Sequence, residues 1–103
     1  SIQDFNIITP NHTSCIEAGE MLIIKWTNYS YSAKNISRLN IYIVKENNII
    51  YPIAENIINS GGYVTKLPPD FNPGRYKIKI TSVDETSFAL SEEFRTIAEI
   101  PIK

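Results

Sequence analysis

The chain has 103 residues, of which 43 % are apolar, and its formal net charge is −1. This length suits a single domain, and the composition is typical of a globular protein rather than a disordered one. The near-neutral charge excludes the long-range field that attracts nucleic acid, and no apolar run in the sequence approaches the roughly 20 residues of a membrane span.

Apolar and polar residues alternate along most of the chain, which predicts short strands and no helix. The first strand ends before Pro10, and the polar residues 11–19 form a turn that closes at Gly19. Pro52 places the fourth strand at a sheet edge, because proline cannot donate a ladder hydrogen bond. The predicted strands are residues 2–9, 21–27, 38–45, 49–54, 63–67, 75–82 and 88–97.

A proline- and glycine-rich corner, residues 68–74, precedes the sixth strand. Tyr76 opens that strand, at the position of the tyrosine corner in immunoglobulin-like folds, where a buried ring donates its hydroxyl to upstream backbone. Together with about seven strands, this predicts an antiparallel immunoglobulin- or fibronectin III-like β-sandwich. The whole chain, residues 1–103, is then one sandwich domain, which we expect to be excised from a longer secreted protein.

The alternation also predicts which side chains form the core. Trp26 is in phase with Leu22 and Ile24, so its indole is expected inside the sandwich rather than exposed for stacking on a sugar. The predicted core consists of Leu22, Ile24, Trp26, Leu39, Ile41, Ile43, Tyr76, Ile78, Ile80 and Phe94.

The third and sixth strands are neighbours in such a sandwich, so their outward residues share one sheet face. That face is a candidate ligand surface for a polysaccharide or an acidic protein, and it carries Asn40, Tyr42, Arg75, Lys77 and Lys79, with Val44 also outward. The alternative is a solvated face on which the cations pair with Glu92 and Glu93 across the ladder.

A polar loop follows the Trp-containing strand and carries Tyr29 and Tyr31. Two tyrosines in a polar loop suit recognition, because their rings give a large contact area at low entropic cost. Packing over the end of the sandwich is the alternative. Glycosylation sequons begin at Asn11, Asn28 and Asn35, all in predicted loops, which favours a secreted protein.

Catalytic chemistry has little support in the sequence. Cys15 is the single cysteine, so it cannot form a disulfide within the domain, and His12 is the single histidine. Three-residue spacing on a strand or loop does not orient a Cys–His pair. No calcium or zinc spacing, phosphate-binding loop or facing carboxylate pair is present. We therefore expect no enzymatic activity and no cofactor.

The order of residues resembles the N-terminal domain of the fungal Ser/Thr-rich, GPI-anchored cell-wall family linked to β-1,6-glucan synthesis. The resemblance covers about residues 7–97 and rests on Ile8-Thr9-Pro10, Gly19, Ile24-Lys25-Trp26, Leu39, Ile53, Gly62-Tyr63, Leu67-Pro68, Gly74-Arg75-Tyr76 and Ser91-Glu92-Glu93-Phe94. Thr65 departs from the family, which often has a second Trp there, and we expect the family's Ser/Thr-rich stalk and anchor signal to lie beyond this piece.

The resemblance implies a non-catalytic extracellular module at a cell wall or cell surface, with a structural or carbohydrate-associated role. The partner would be a wall polysaccharide or a surface protein, with no nucleic acid and no membrane span in this piece. Two alternatives remain: a protein–protein adhesion module with the same fold, and an accessory domain of a secreted hydrolase.

Overall fold

The computed structural model of the chain describes residues 4–28 and 35–102. Within these residues the secondary structure is almost entirely β. The strands, in chain order, are β1 (Phe5–Thr9), β2 (Cys15–Glu17), β3 (Met21–Asn28), β4 (Arg38–Lys45), β5 (Asn48–Ile58), β6 (Gly62–Lys66), β7 (Gly74–Ser82), β8 (Phe88–Leu90) and β9 (Phe94–Ile97).

The strands form two sheets that face each other. A three-stranded antiparallel sheet has the order β1-β3-β6. The larger sheet has the order β2-β9-β7-β4-β5, and β8 pairs with β7 beside β9. The strand β4 therefore lies next to β7, as predicted for the third and sixth strands. The predicted immunoglobulin/fibronectin III-like β-sandwich is confirmed.

The core lies between the sheets and is built from inward positions of alternating strands. On β3 the residues Leu22, Ile24 and Trp26 are buried, while Met21, Ile23 and Lys25 are exposed. All ten predicted core residues are buried, and Trp26 is only 2 % exposed. Phe5, Leu67, Phe71 and Ala89 complete much of the rest of the cluster.

The tyrosine corner is present. The hydroxyl of Tyr76 donates to the backbone carbonyl of Asn72, with an O–O distance of 2.8 Å. The same carbonyl accepts a hydrogen bond from the Thr96 hydroxyl at 3.1 Å. Asn72 thereby ties the proline-rich corner to both β7 and β9.

Two short elements differ from the predicted strands. Residues 11–19 were predicted to be a turn, but β2 lies within them and pairs in parallel with β9. Three residues are too few to produce a readable alternation, so only the neighbouring strand defines β2. The last predicted strand is divided into β8 and β9. Between them the Ser91 hydroxyl accepts the Ile78 amide N–H at 2.8 Å, so this side chain takes the place of a backbone carbonyl.

The strand β5 lies at a sheet edge, as Pro52 predicted, but it is longer than residues 49–54. It runs to Ile58 and its pairing with β4 shifts register three times. At one irregularity Asn56 has φ +53°, and its amide N–H donates to the Asn40 side-chain oxygen at 2.9 Å. Irregular edges of this kind hinder pairing with another chain.

Candidate functional site

The outward face of β4 and β7 carries the five sheet residues that the sequence singled out. The register pairs Tyr42 with Lys79, Val44 with Lys77 and Asn40 with Thr81. The next outward residue of β7 is Arg75, which pairs with Arg95 on β9. We call Asn40, Tyr42, Arg75, Lys77 and Lys79 the polar face. Their grouping follows from antiparallel pairing, which places directly opposed residues on the same side of the sheet.

Two cations of the polar face, Arg75 and Lys79, have different neighbours. Arg75 lies 3.6 Å from a Glu93 oxygen, and both side chains are more than half exposed, so the pair contributes only about 0–1 kcal/mol. The ammonium of Lys79 lies 5.3 Å from the centroid of the Phe88 ring. Of the cations on the polar face, Arg75 therefore forms the predicted pair with Glu93. Glu92 instead accepts a hydrogen bond from His12, at 2.8 Å from its Nδ1.

Tyr42 occupies the other side of the polar face and is half-buried. Burial raises the pKa of the Tyr42 phenol, and the negative charges of Glu55 and Glu85 raise it further. A hydrogen bond with Asn40 lowers the pKa, but by less. The hydroxyl consequently remains neutral across the physiological range and keeps its proton for donation. The Asn40 side chain also holds the β5 irregularity, so part of its role is structural.

A cleft of about 470 Å³ opens at the end of the polar face near the β4–β5 turn. Val44 lines this cleft at the outward position that the sequence predicted, but its side chain is only 3 % exposed. Leu90 from β8 adds a second apolar side chain. The lining residues are Val44, Lys45, Glu46, Asn47, Arg75, Tyr76, Lys77, Leu90 and Glu93.

Lys45 and Leu90 also belong to this surface, although the sequence did not predict them there. Lys45 reaches over the Tyr76 ring, with its ammonium 5.0 Å from the ring centroid. Leu90 lies beside this surface because β8 pairs with β7 and places Leu90 opposite Lys79. Lys45 could have been predicted from its position at the end of the third strand. Leu90 could not, because the break between β8 and β9 interrupts the alternation that shows which side of the sheet a residue faces.

A second cleft, of about 480 Å³, lies at the opposite end of the sandwich. It is lined by Asn35, Ile36, Ser37, Arg38, Ser82, Val83, Asp84, Thr86 and Ser87. One oxygen of Asp84 accepts hydrogen bonds from the Ser82 and Thr86 hydroxyls, at 2.6 and 2.8 Å. These bonds lower the pKa of the Asp84 carboxyl. The candidate recognition residues Tyr29 and Tyr31 belong to the segment 29–34, outside the described residues.

The three sequon asparagines occupy different settings. Asn11 is half-buried in the turn after β1, and its side-chain oxygen accepts a hydrogen bond from the Thr13 hydroxyl at 2.6 Å. Asn28 is exposed at the end of β3, and its oxygen accepts a hydrogen bond from Asn59 at 2.9 Å. Asn35 is exposed.

The groups with catalytic potential are dispersed or engaged elsewhere. His12 is held by Glu92 through both its ring and its backbone N–H. Cys15 is exposed, with its sulfur 3.8 Å from the Arg95 guanidinium. Within residues 4–28 and 35–102, no group of three or more His, Cys, Asp or Glu side chains is arranged to hold a metal ion. Over the same ranges we find no helix that is long and apolar enough to cross a bilayer.

Comparisons with known proteins agree with the fold. Among solved structures, the fibronectin(III)-like modules of Clostridium thermocellum CbhA match with a TM-score of 0.60 and 18 % identity. The match covers 93 % of this chain and 47 % of that chain, so this sequence spans about half the length of the matched structure. At this identity the likeness demonstrates the fold alone. No curated protein matches the chain.

A family model gives the narrower result. The model for the Kre9/KNH-like N-terminal Ig-like domain matches residues 9–96, nearly the whole chain. This is the fungal β-1,6-glucan synthesis family that the order of residues resembled, and the match supports a non-catalytic, cell-wall-related module. The chain belongs to the Kre9/KNH-like N-terminal Ig-like domain family.

Proposed function

We propose that this domain is a non-catalytic extracellular module that binds a cell-wall polysaccharide, such as β-glucan, through the polar face. The observation that carries the proposal is the register of β4 and β7, which sets the Tyr42 phenol directly beside Lys79 on an open sheet face. Family membership supplies the cell-wall context. The same context supports a location outside the cell, at the wall or the surface.

The chemistry of the polar face suits a sugar chain. A polysaccharide presents many hydroxyl and ring oxygens that accept hydrogen bonds, together with flat patches of C–H groups. Tyr42 offers a neutral hydroxyl donor and an aromatic ring, while Lys77 and Arg75 offer flexible donors. The pairing of Arg75 with Glu93 is exposed and weak, so a ligand displaces it at small cost.

Sedimentation of the purified chain with insoluble β-glucan, chitin and mannan tests this proposal. We expect the chain to bind one of these polymers and the variant Tyr42→Ala/Lys77→Ala to remain in the supernatant. The matched control is Lys25→Ala, since Lys25 is an exposed lysine on the outward side of the other sheet. Equal binding by all three proteins contradicts the assignment of the face. Failure to bind any polymer leaves the structural-scaffold version of the proposal.

A protein–protein adhesion module is the second candidate function. A flat polar face with an aromatic residue favours a sugar, whereas a contiguous apolar patch favours a protein partner. The sandwich carries an apolar patch as well, but on the outer face of the three-stranded sheet. The role of an accessory domain in a secreted hydrolase remains a further candidate, because it requires no chemistry in this chain.

We further propose that the chain is one sandwich domain of a longer secreted glycoprotein. In this proposal Asn28 and Asn35 are the preferred acceptors, because both are exposed whereas Asn11 is half-buried. Treatment of the secreted protein with peptide N-glycosidase, followed by mass spectrometry, identifies each modified asparagine as a new aspartate. Modification of Asn11 alone contradicts this order of preference.

A further inference from the structure

The outward side of the three-stranded sheet exposes large aliphatic side chains. Ile8, Met21, Ile23 and Val64 are between 48 % and 54 % exposed. Met21, Ile23 and Val64 are neighbours, because Ile23 is paired with Val64 and Met21 is two residues from Ile23 on the same side of β3. Ile8 lies at the irregularity of β1 that precedes the Thr9–Lys25 pair. We call these four residues the aliphatic face.

The charged residues within these three strands are all basic, and Glu20 lies just outside them, directly before Met21. The strands β1, β3 and β6 contain no Asp or Glu and two lysines, Lys25 and Lys66. Lys66 is paired with Met21, and Lys25 lies four residues further along β3. At about 3.4 Å per residue, the two lysines mark the ends of the aliphatic face, about 14 Å apart. Ile23 and Val64 lie between them.

We propose that the aliphatic face docks a protein whose contact surface has an aliphatic centre and a carboxylate at each end, about 14 Å apart. An extended strand meets this requirement with acidic residues at positions i and i+4 and an aliphatic residue at i+2, all on one side. Charge complementarity then fixes the position and direction of the partner, while burial of the aliphatic residues provides the affinity. This inference is independent of the polysaccharide proposal, which concerns the opposite sheet.

Other occupants fit the face less well. A second copy of the chain would bring Lys25 and Lys66, on strands without Asp or Glu, against the same two lysines. A membrane surface calls for side chains that insert, and Trp, Phe and Leu are typical of that role. The aliphatic face has none of these. It also lacks the aromatic ring on which a sugar stacks.

The test uses a backbone-cyclised β-hairpin peptide, one face of which presents Glu, Ile and Glu at alternate positions of a strand. Titrated into the isotope-labelled chain, it is expected to shift the amide resonances of β3 and β6 saturably, with little change on β4 and β7. A peptide with Lys in place of both Glu is expected to bind at least about tenfold more weakly. Lys25→Glu/Lys66→Glu is expected to reverse this preference.

Two aliphatic variants complete the test. Ile23→Thr/Val64→Thr is expected to lose binding of the acidic peptide, since both residues are exposed and threonine preserves strand propensity. The control Ile49→Thr/Ile50→Thr changes two comparably exposed residues on β5 and is expected to bind normally. Equal binding of both peptides, or shifts confined to β4 and β7, overturns the proposal. So does self-association through this face, or tighter binding to phosphatidylserine vesicles than to the peptide.

Discussion

The indole N–H of Trp26 donates to the side-chain oxygen of Asn59, with an N–O distance of 2.8 Å. The amide nitrogen of Asn59 in turn donates to the carbonyl of Ile36 at 2.8 Å and to Asn28 at 2.9 Å. One asparagine thus satisfies the polar atom of the buried indole and ties the β5–β6 turn to β3 and to the chain that enters β4. The Trp belongs to the core, while its N–H helps to fix one end of the sandwich.

Replacing Asn59 with Ala is expected to lower the free energy of unfolding by about 1–3 kcal/mol, because the indole N–H loses its partner in a largely buried site. Trp26 is the single tryptophan of the chain, so its fluorescence reports the change directly. Urea unfolding followed by fluorescence provides the measurement. Asn6→Ala, on the exposed outward side of β1, is the control and is expected to leave stability nearly unchanged. Equal stability of the two variants would refute the role of Asn59.

Gly61 provides a test of the same turn through the backbone. Its φ is +91°, and an added Cβ would lie 3.3 Å from the carbonyl oxygen of Trp26. Gly61→Ala is therefore expected to cost about 1–2 kcal/mol, because side chains disfavour this conformation. The neighbouring Gly62 has no positive φ, and its nearest contact would be 3.8 Å away, so Gly62→Ala is expected to be milder. Thermal unfolding that ranks the two in the opposite order contradicts this explanation.

The tyrosine corner predicts the effect of deleting a single hydroxyl. Tyr76→Phe is expected to destabilise the fold by about 1–3 kcal/mol, since the Asn72 carbonyl loses a donor next to a ring that is 5 % exposed. The loss is partial because Thr96 still donates to this carbonyl. Tyr63→Phe is a matched control on the half-buried edge strand β6. Chemical denaturation that shows equal losses for both would argue against a special corner bond.

The Asp84 carboxyl predicts part of the acid sensitivity of the domain. Hydrogen bonds from Ser82 and Thr86 hold its pKa below the ordinary value of 3.8. A carboxyl with a lowered pKa in the folded state stabilises the fold above that ordinary value, and the stabilisation is lost as pH falls through the lowered pKa. Stability is thus expected to decline below about pH 4, and Asp84→Asn is expected to reduce this slope.

The measurement for Asp84 is unfolding by urea across the acidic range. Asp70→Asn, an exposed carboxyl in the proline-rich corner, serves as the control. An unchanged acid slope in Asp84→Asn, or a larger effect of Asp70→Asn, would contradict the assignment. The variants are compared by the pH dependence of their midpoints rather than by stability at one pH, because the substitution also alters the hydrogen bonds themselves.

The purified chain is expected not to hydrolyse β-glucan, chitin or peptide substrates between about pH 4 and 8, the interval in which carboxyl and imidazole groups act as general acids and bases. The physical reason is that the candidate groups are scattered: His12 is bound to Glu92, and Glu93 lies beside Arg75. Release of reducing sugar and of free amines provides the readout. Activity that survives purification and is abolished by His12→Ala, Asp70→Ala or Glu93→Ala would overturn the non-catalytic proposal.

Most of the fold could be predicted from the local alternation of apolar and polar residues. Period-two patterns are a property of consecutive residues, so β3, β4 and β7 and their buried sides were predictable, as was Tyr76 after the proline-rich corner. The edge position of β5 could be predicted from Pro52 alone, because proline has no backbone N–H to donate to a neighbouring strand. The family resemblance likewise depended on the order of residues along the chain and is confirmed over residues 9–96.

Pairings across long sequence separations were decided only by the tertiary structure. His12 and Glu92 are 80 residues apart, and the three residues of β2 become a strand only because β9 lies beside them. The burial of Val44 and the position of Leu90 in the cleft depend on how neighbouring strands pack beside the polar face. Composition and alternation describe one strand at a time, whereas register, clefts and shared hydrogen-bond partners arise from the relative placement of several strands.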